Sequence, residues 1–203
     1  GSSNTAFGYL ALTSNTTASD NTAVGRSALA LNTTGTQNVA MGVNALSQAT
    51  TADQNTAVGH DCMQETTTGS DNTAVGSFAF HFNTTGSNNT SMGKDALLLN
   101  TTGTRNVAIG SLALDANTTA SANTTVGFKS MSSNTTGTNN VALGDEALFS
   151  NTTADNNTAI GNDALYANTT GTKNTAVGAF SLDASSTGNN NVAVGDEALS
   201  SNT

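Results

Sequence analysis

No proline and no tryptophan occurs in the 203 residues, 9% are charged, 4% are aromatic, and cysteine appears once. Each shortage removes a class of answer. A single cysteine, Cys62, cannot close an intramolecular disulfide; it sits where most repeats have Ala, which reads as a small buried residue rather than a reactive thiol. The five basic residues, Arg26, Lys94, Arg105, Lys129 and Lys173, are scattered through a chain of net charge −9. That argues against a nucleic-acid partner, because phosphate binding needs a concentrated basic surface. No stretch approaches the roughly 18 apolar residues of a membrane helix, so no membrane insertion is expected of this segment. The apolar core of a secretory signal is missing as well, and any export signal or anchor is expected outside these residues.

What is present is a sentence repeated every seventeen residues, N-T/V-A-V-G-x-x-A-L-x-x-N-T-T-G/A-x-x, without insertion or deletion. Its opening Asn falls at Asn4, Asn21, Asn38, Asn55, Asn72, Asn89, Asn106, Asn123, Asn140, Asn157, Asn174 and Asn191. Eleven full repeats and a partial twelfth result. Asn, Thr, Ala and Gly dominate, as in a disordered polar tract, yet the aliphatic residues keep strict register, which disorder does not require. A fixed period of this length means stacked units, none able to bury its apolar face alone, and one solenoid domain over residues 1–203. Gly1, Ser2 and Ser3 fit the last three slots of a preceding repeat, so the chain is expected to be a segment of a longer fibre.

Seventeen residues are too few for two useful helices with their turns, and Thr, Val, Asn and Gly disfavour helix. The reading is all-β: a parallel β-solenoid, or β-roll, of 17-residue coils. Numbering slots from the opening Asn, slot two is Thr or Val and slot four is aliphatic or aromatic, as in Val24, Ile109, Leu143, Met41 and Phe7. Alternation places slots two and four on one face and slot three on the other, and slots two and four are expected to point into the coil. A second strand is expected at A-L, with slot nine (Leu29, Leu46, Met63, Phe80) as the inward anchor. Gly25, Gly42, Gly59 and Gly76 represent slot five, Gly in all twelve repeats, which predicts a positive φ or a corner too tight for a side chain. Asn21, Asn38, Asn55 and Asn72 represent an invariant slot one, expected to form an amide ladder along the fibre.

Slot three is Ala in ten repeats, with Ser91 and Thr125 as exceptions. If it faces outward, the stripe through Ala23, Ala40, Ala57, Ala74, Ala108 and Ala142 is a subunit interface, because small residues on an outer face imply something lying flat against them. Another copy of the chain is the simplest occupant for so thin a core.

N-V-A-I-G (Asn106 to Gly110) and N-V-A-V-G (Asn191 to Gly195) resemble the S-V-A-I-G core of the YadA-like head repeats of trimeric autotransporter adhesins. The pentapeptide runs through the whole chain. The adhesin repeat is shorter, and the N-T-T-G segment is additional here; arrays of this longer type are similar to those of phage-like tail-fibre proteins. The resemblance implies a homotrimeric fibre, extracellular, on a cell surface or a virion-like appendage, working in adhesion. A host-cell or prey-surface ligand would then be held by other parts of the fibre.

The Thr pairs, from Thr16-Thr17 to Thr169-Thr170, suit turn residues whose hydroxyls cap backbone groups. A regular Thr face is also what an ice-binding solenoid uses. Asn15, Asn32, Asn83 and Asn100 open N-x-T glycosylation sequons at the same corner. Catalysis finds no footing: His60 and His81 have no repeating Ser, Cys or carboxylate partner, so no catalytic, cofactor or metal residue is assigned. The acidic residues Asp61, Asp95, Asp145, Glu146, Asp163, Asp196 and Glu197 recur too irregularly for a metal staircase and read as a solvated corner. Repeat five concentrates Phe78, His81 and Phe82, a candidate surface contact patch. The expectation is a mechanical shaft or head segment of a fibre, with a self-assembling extracellular filament and an ice-binding solenoid as alternatives.

Overall fold

The computed structural model describes residues 1–201. Twelve three-residue strands run β1 (Thr5–Phe7), β2 (Thr22–Val24), β3 (Val39–Met41), β4 (Thr56–Val58), β5 (Thr73–Val75), β6 (Thr90–Met92), β7 (Val107–Ile109), β8 (Thr124–Val126), β9 (Val141–Leu143), β10 (Thr158–Ile160), β11 (Thr175–Val177) and β12 (Val192–Val194). They form one sheet in chain order, each strand parallel to the next. The register is one repeat throughout, from Thr5 opposite Thr22 to Thr175 opposite Val192. The chain is therefore a parallel β-solenoid of 17-residue coils, and among the described residues there is no helix.

Each coil bonds to both neighbours. The Thr22 N–H donates to the Asn38 carbonyl and the Gly25 N–H donates back to the Phe7 carbonyl, each at 2.8 Å. Three residues are enough for a strand because the ladder, not the strand's own length, supplies the cooperativity.

The second strand expected at A-L is a turn. Slots seven and nine take left-handed backbone in every coil, as at Ser27 (φ 57°) and Leu29 (φ 51°), and so does slot seventeen, as at Gln37 (φ 59°). Two left-handed residues bend slots six to eleven back on themselves, so seventeen residues close a full coil. The turn still stacks on its neighbours: the Leu29 N–H donates to the Ala45 carbonyl at 3.0 Å.

The face assignment of the strands is reversed. Slot three points inward: Ala23, Ala40, Ala57, Ala74, Ala108 and Ala142 are fully buried within a single chain, while slots two and four are half-buried or exposed. The expected outward alanine stripe is an inner wall and offers a partner nothing to touch. The coil is narrow, and the slot-nine side chains Leu29, Leu46, Met63, Phe80, Leu97 and their successors already fill it. Small side chains fit opposite them, Ala in ten coils and Ser91 or Thr125 in the other two. Where slot three carries a hydroxyl it is satisfied internally, Ser91 Oγ donating to the Ala96 carbonyl at 2.8 Å.

Slot five explains its glycine twice. Gly42 has φ 142°, in the half of conformational space that L side chains avoid. A Cβ there would also run into the carbonyl of Gly59 in the next coil.

Candidate functional site

Two asparagine rows run inside the solenoid. In slot one, Asn38 Nδ2 donates to Asn21 Oδ1 at 3.1 Å and to the Ala52 carbonyl at 2.8 Å, while Asn21 Oδ1 also accepts the Asn38 backbone N–H at 2.9 Å. Asn55 and Asn72 repeat the pattern, and all four of these asparagines are fully buried. The side-chain oxygen thus satisfies the main-chain donor that opens the next strand. Slot twelve forms a second row that residue types alone presented as a turn corner: Asn100 Nδ2 donates to Asn83 Oδ1 and Asn117 Nδ2 to Asn100 Oδ1. Buried amides cost free energy unless paired, and these two rows pair them coil by coil.

The sequons lie in that second row. Asn32, Asn83 and Asn100 are fully buried, so the folded chain presents no acceptor amide at them. In the neighbouring slots, the first Thr of each pair caps the coil below: Thr33 Oγ1 donates to the Thr50 carbonyl and Thr84 Oγ1 to the Thr101 carbonyl, both at 3.0 Å. The second Thr, from Thr17 and Thr34 to Thr170 and Thr187, is exposed in each of these coils.

Phe78, His81 and Phe82 come together as a stepped aromatic cluster in coil five. Phe78 packs edge-on against His81 at 5.5 Å, and His81 against Phe82 at 4.4 Å. His60 from the coil before meets Phe78 at 5.3 Å. His81 is buried, and its Nδ1 donates to the Asp61 carbonyl at 2.9 Å, which fixes the tautomer because a carbonyl only accepts. Only the outer edge of the cluster is presented, chiefly Phe82, 40% exposed.

A shallow cavity of about 280 Å³ lies between coils nine and eleven, lined by Glu146, Asp163, Tyr166, Phe180 and Asp183. Burial raises the Asp163 carboxyl above its ordinary value, and the nearby Glu146, Asp145 and Asp183 raise it further. Among the described residues, no group of three or more His, Cys, Asp or Glu is arranged to hold a metal ion. Cys62 is buried, its thiol is pushed up to about 12 by loss of solvent, and Sγ donates to the Ala74 carbonyl at 3.3 Å.

Comparison with protein-family models, curated proteins and solved structures gives no match. The surface itself must supply the argument.

One uncharged surface is the outer face of the sheet. Slot four presents Met41, Val75, Met92, Ile109, Val126 and Ile160 to solvent along one line, each between 36% and 43% exposed. Slot two beside it is half-buried Thr or Val from β2 to β11. None of the 24 side chains in slots two and four is charged. This stripe was missed in the sequence because alternation gives two faces without saying which is inside.

Proposed function

We propose that this chain is a non-catalytic shaft or head segment of a homotrimeric fibre, displayed on a cell surface or a phage-like particle and serving adhesion by holding a binding tip away from its anchor. The observation that carries the reading is the unbroken parallel ladder of twelve strands in one register. Such a stack has no hinge: every coil is bonded to the coil above and below through strand, turn and asparagine rows. Its length grows by one strand spacing per coil, giving a rod on the order of 55 Å for twelve coils. The resemblance of the pentapeptide to the adhesin heads supports the trimer, the extracellular setting and the adhesive role.

Small-angle scattering of the purified chain, before and after overnight digestion with a broad-specificity protease, tests this. A straight rod of that length that survives digestion is expected of a shaft. A flexible or readily degraded chain would sink the reading.

A second reading is favoured by one observation, the exposed second Thr repeated without a break from coil one to coil eleven while the neighbouring slot seventeen varies freely. Such a comb suits ice. Thermal hysteresis of the purified chain, abolished by Thr68→Lys with Thr102→Lys, would establish it, and its absence would remove it.

A further inference from the structure

We infer that the outer face of the sheet, slots two and four of every coil, is where a second copy of this chain packs, parallel to the first and coil against like coil. The inference deepens the shaft reading by naming the surface that holds the fibre's chains together.

Three observations select the occupant. The first is period: the face is a comb with one tooth per coil, and a partner must repeat at the same spacing to stay in contact along its length. A second copy of this chain does so at every step, whereas a partner that does not repeat at the strand spacing drifts out of register within a few coils.

The second is chemistry. The stripe carries no charge, and charged side chains flank it in the neighbouring slots, with Asp20, Asp71, Arg105 and Lys173 on one side and Arg26, Lys94, Asp145 and Asp196 on the other. An uncharged centre, one row aliphatic or aromatic and the other mostly Thr, inside a charged rim fits the anatomy of a protein interface, whose core is depleted in charge. On the order of 55 Å long and about 10 Å wide, the strip covers roughly 550 Å² before side-chain relief is counted. A standard interface takes about 800 Å² from each partner, more than the flat strip alone, and the relief of the side chains adds to the area buried.

The third is relief. Slot four mixes Phe7, Val24, Met41, Ile109 and Leu143, so the face is stepped rather than flat. Steps of different height suit interlocking side chains and disfavour a flat crystal lattice such as ice. Two adjacent rows, Thr or Val beside a larger aliphatic, give each chain two unlike edges. One edge meeting the other closes a ring about an axis parallel to the fibre.

Light scattering over a range of concentrations is the experiment, with the full chain and two variants. The wild-type chain is expected at two or three times its monomer mass, three matching the proposed trimer. Val58→Lys with Met92→Lys and Val126→Lys places ammonium groups on alternate coils of the stripe without touching the core; it is expected to run as a monomer with an unchanged far-ultraviolet spectrum. Thr68→Lys with Thr102→Lys, in the exposed Thr row outside the stripe, is expected to keep the wild-type mass.

Register is read separately: Val39→Cys with Met41→Cys, near one end of the rod, is expected to cross-link chains on mild oxidation, which antiparallel packing forbids because it sets coil three against coil ten. A monomeric wild-type chain, or a stripe variant that keeps its full mass, overturns the inference. A monomer that still scatters as a protease-resistant rod overturns the interface and leaves the shaft standing; a monomer with thermal hysteresis overturns it in favour of the ice reading of the second-Thr row.

Discussion

Asn32 and Ala49 occupy the same slot of successive coils, and Asn32 Oδ1 is buried with no hydrogen-bond partner. Further along the row that oxygen is served by the next coil's amide, as Asn83 Oδ1 is by Asn100 Nδ2 and Asn117 Oδ1 by Asn134 Nδ2. Ala49 has no amide to offer. Asn168 Oδ1 is orphaned in the same way, with Ser185 in place of the next Asn. Asn15 Oδ1 is orphaned as well, although the next coil carries Asn32, so the amide row is continuous only from Asn83 to Asn168.

Ala49→Asn is expected to close the break at Asn32. The new amide would donate to Asn32 Oδ1, and its own oxygen would face the Thr66 hydroxyl of the following coil. A buried acceptor left unmet costs about 1–3 kcal/mol, so a stabilisation of about 1 kcal/mol is expected, read as a higher denaturant midpoint. Asn100→Ala, which removes both donor and acceptor from an intact stretch, is expected to lower the midpoint by a comparable amount or more. A midpoint unmoved by both changes would show that the row contributes nothing.

The two sides of the sheet are expected to differ sharply in tolerance. Ala74 is fully buried against the filled coil, so Ala74→Leu overpacks it at about 1–3 kcal/mol. Its neighbour Val75 is on the outer face, and Val75→Thr is expected to stay within about 0.5 kcal/mol for the isolated chain. Urea titrations of the pair decide the face assignment directly.

Glycine exchanges should run in opposite directions at two slots. Gly76→Ala drives a Cβ toward the Gly93 carbonyl at φ 142°, so a loss of at least about 1–3 kcal/mol is expected. Arg105 is exposed in left-handed backbone, φ 57°, and Arg105→Gly relieves about 1–2 kcal/mol of strain against about 0.5–1 kcal/mol of added unfolded-state entropy. A neutral or slightly raised melting temperature is expected there.

Identity between repeats is what made part of this readable from sequence. The invariance of Asn21 and Asn38, and of Gly25 and Gly42, marks positions where every coil meets the same constraint, and period and solenoid class follow from that alone. Orientation did not follow. A period of two separates slot three from slots two and four but is symmetrical between inside and outside. The usable clue was variety: a narrow interior admits little beyond Ala at slot three, whereas slot four accepts Phe7, Met41 and Leu143 because it is open on one side. The turn at slots seven to nine stayed hidden for another reason. Its left-handed positions hold mostly Leu, Phe, Met, Lys and Glu, with Ser27, Asn44 and three Asp the exceptions and no Gly, because the ladder enforces a backbone that most of these residues do not favour by themselves.

Cys62 is expected to be silent toward a disulfide reagent at pH 8 in the folded chain and to react fully once unfolded, since burial holds the thiol up at about 12 and only the thiolate attacks. Rapid modification of the native protein would show that coil four opens locally.

Asp163 carries the sign of the pH dependence. Its carboxyl is raised in the folded chain by burial and by Glu146, Asp145 and Asp183, so the unfolded chain gives up this proton more readily than the folded one. Above its folded value the ionised group therefore opposes folding, and the penalty fades as pH falls through that raised value toward the ordinary carboxylate range. Asp163→Asn removes the charge at a left-handed position, φ 53°, which Asn tolerates better than most residues. A higher melting temperature than wild type is expected at pH 7, with the charge-dependent part of the gain shrinking as pH falls through the raised value into the ordinary carboxylate range and the wild-type carboxyl takes up its proton. A gain that stays constant across that range would assign the effect to backbone preference and remove the electrostatic one.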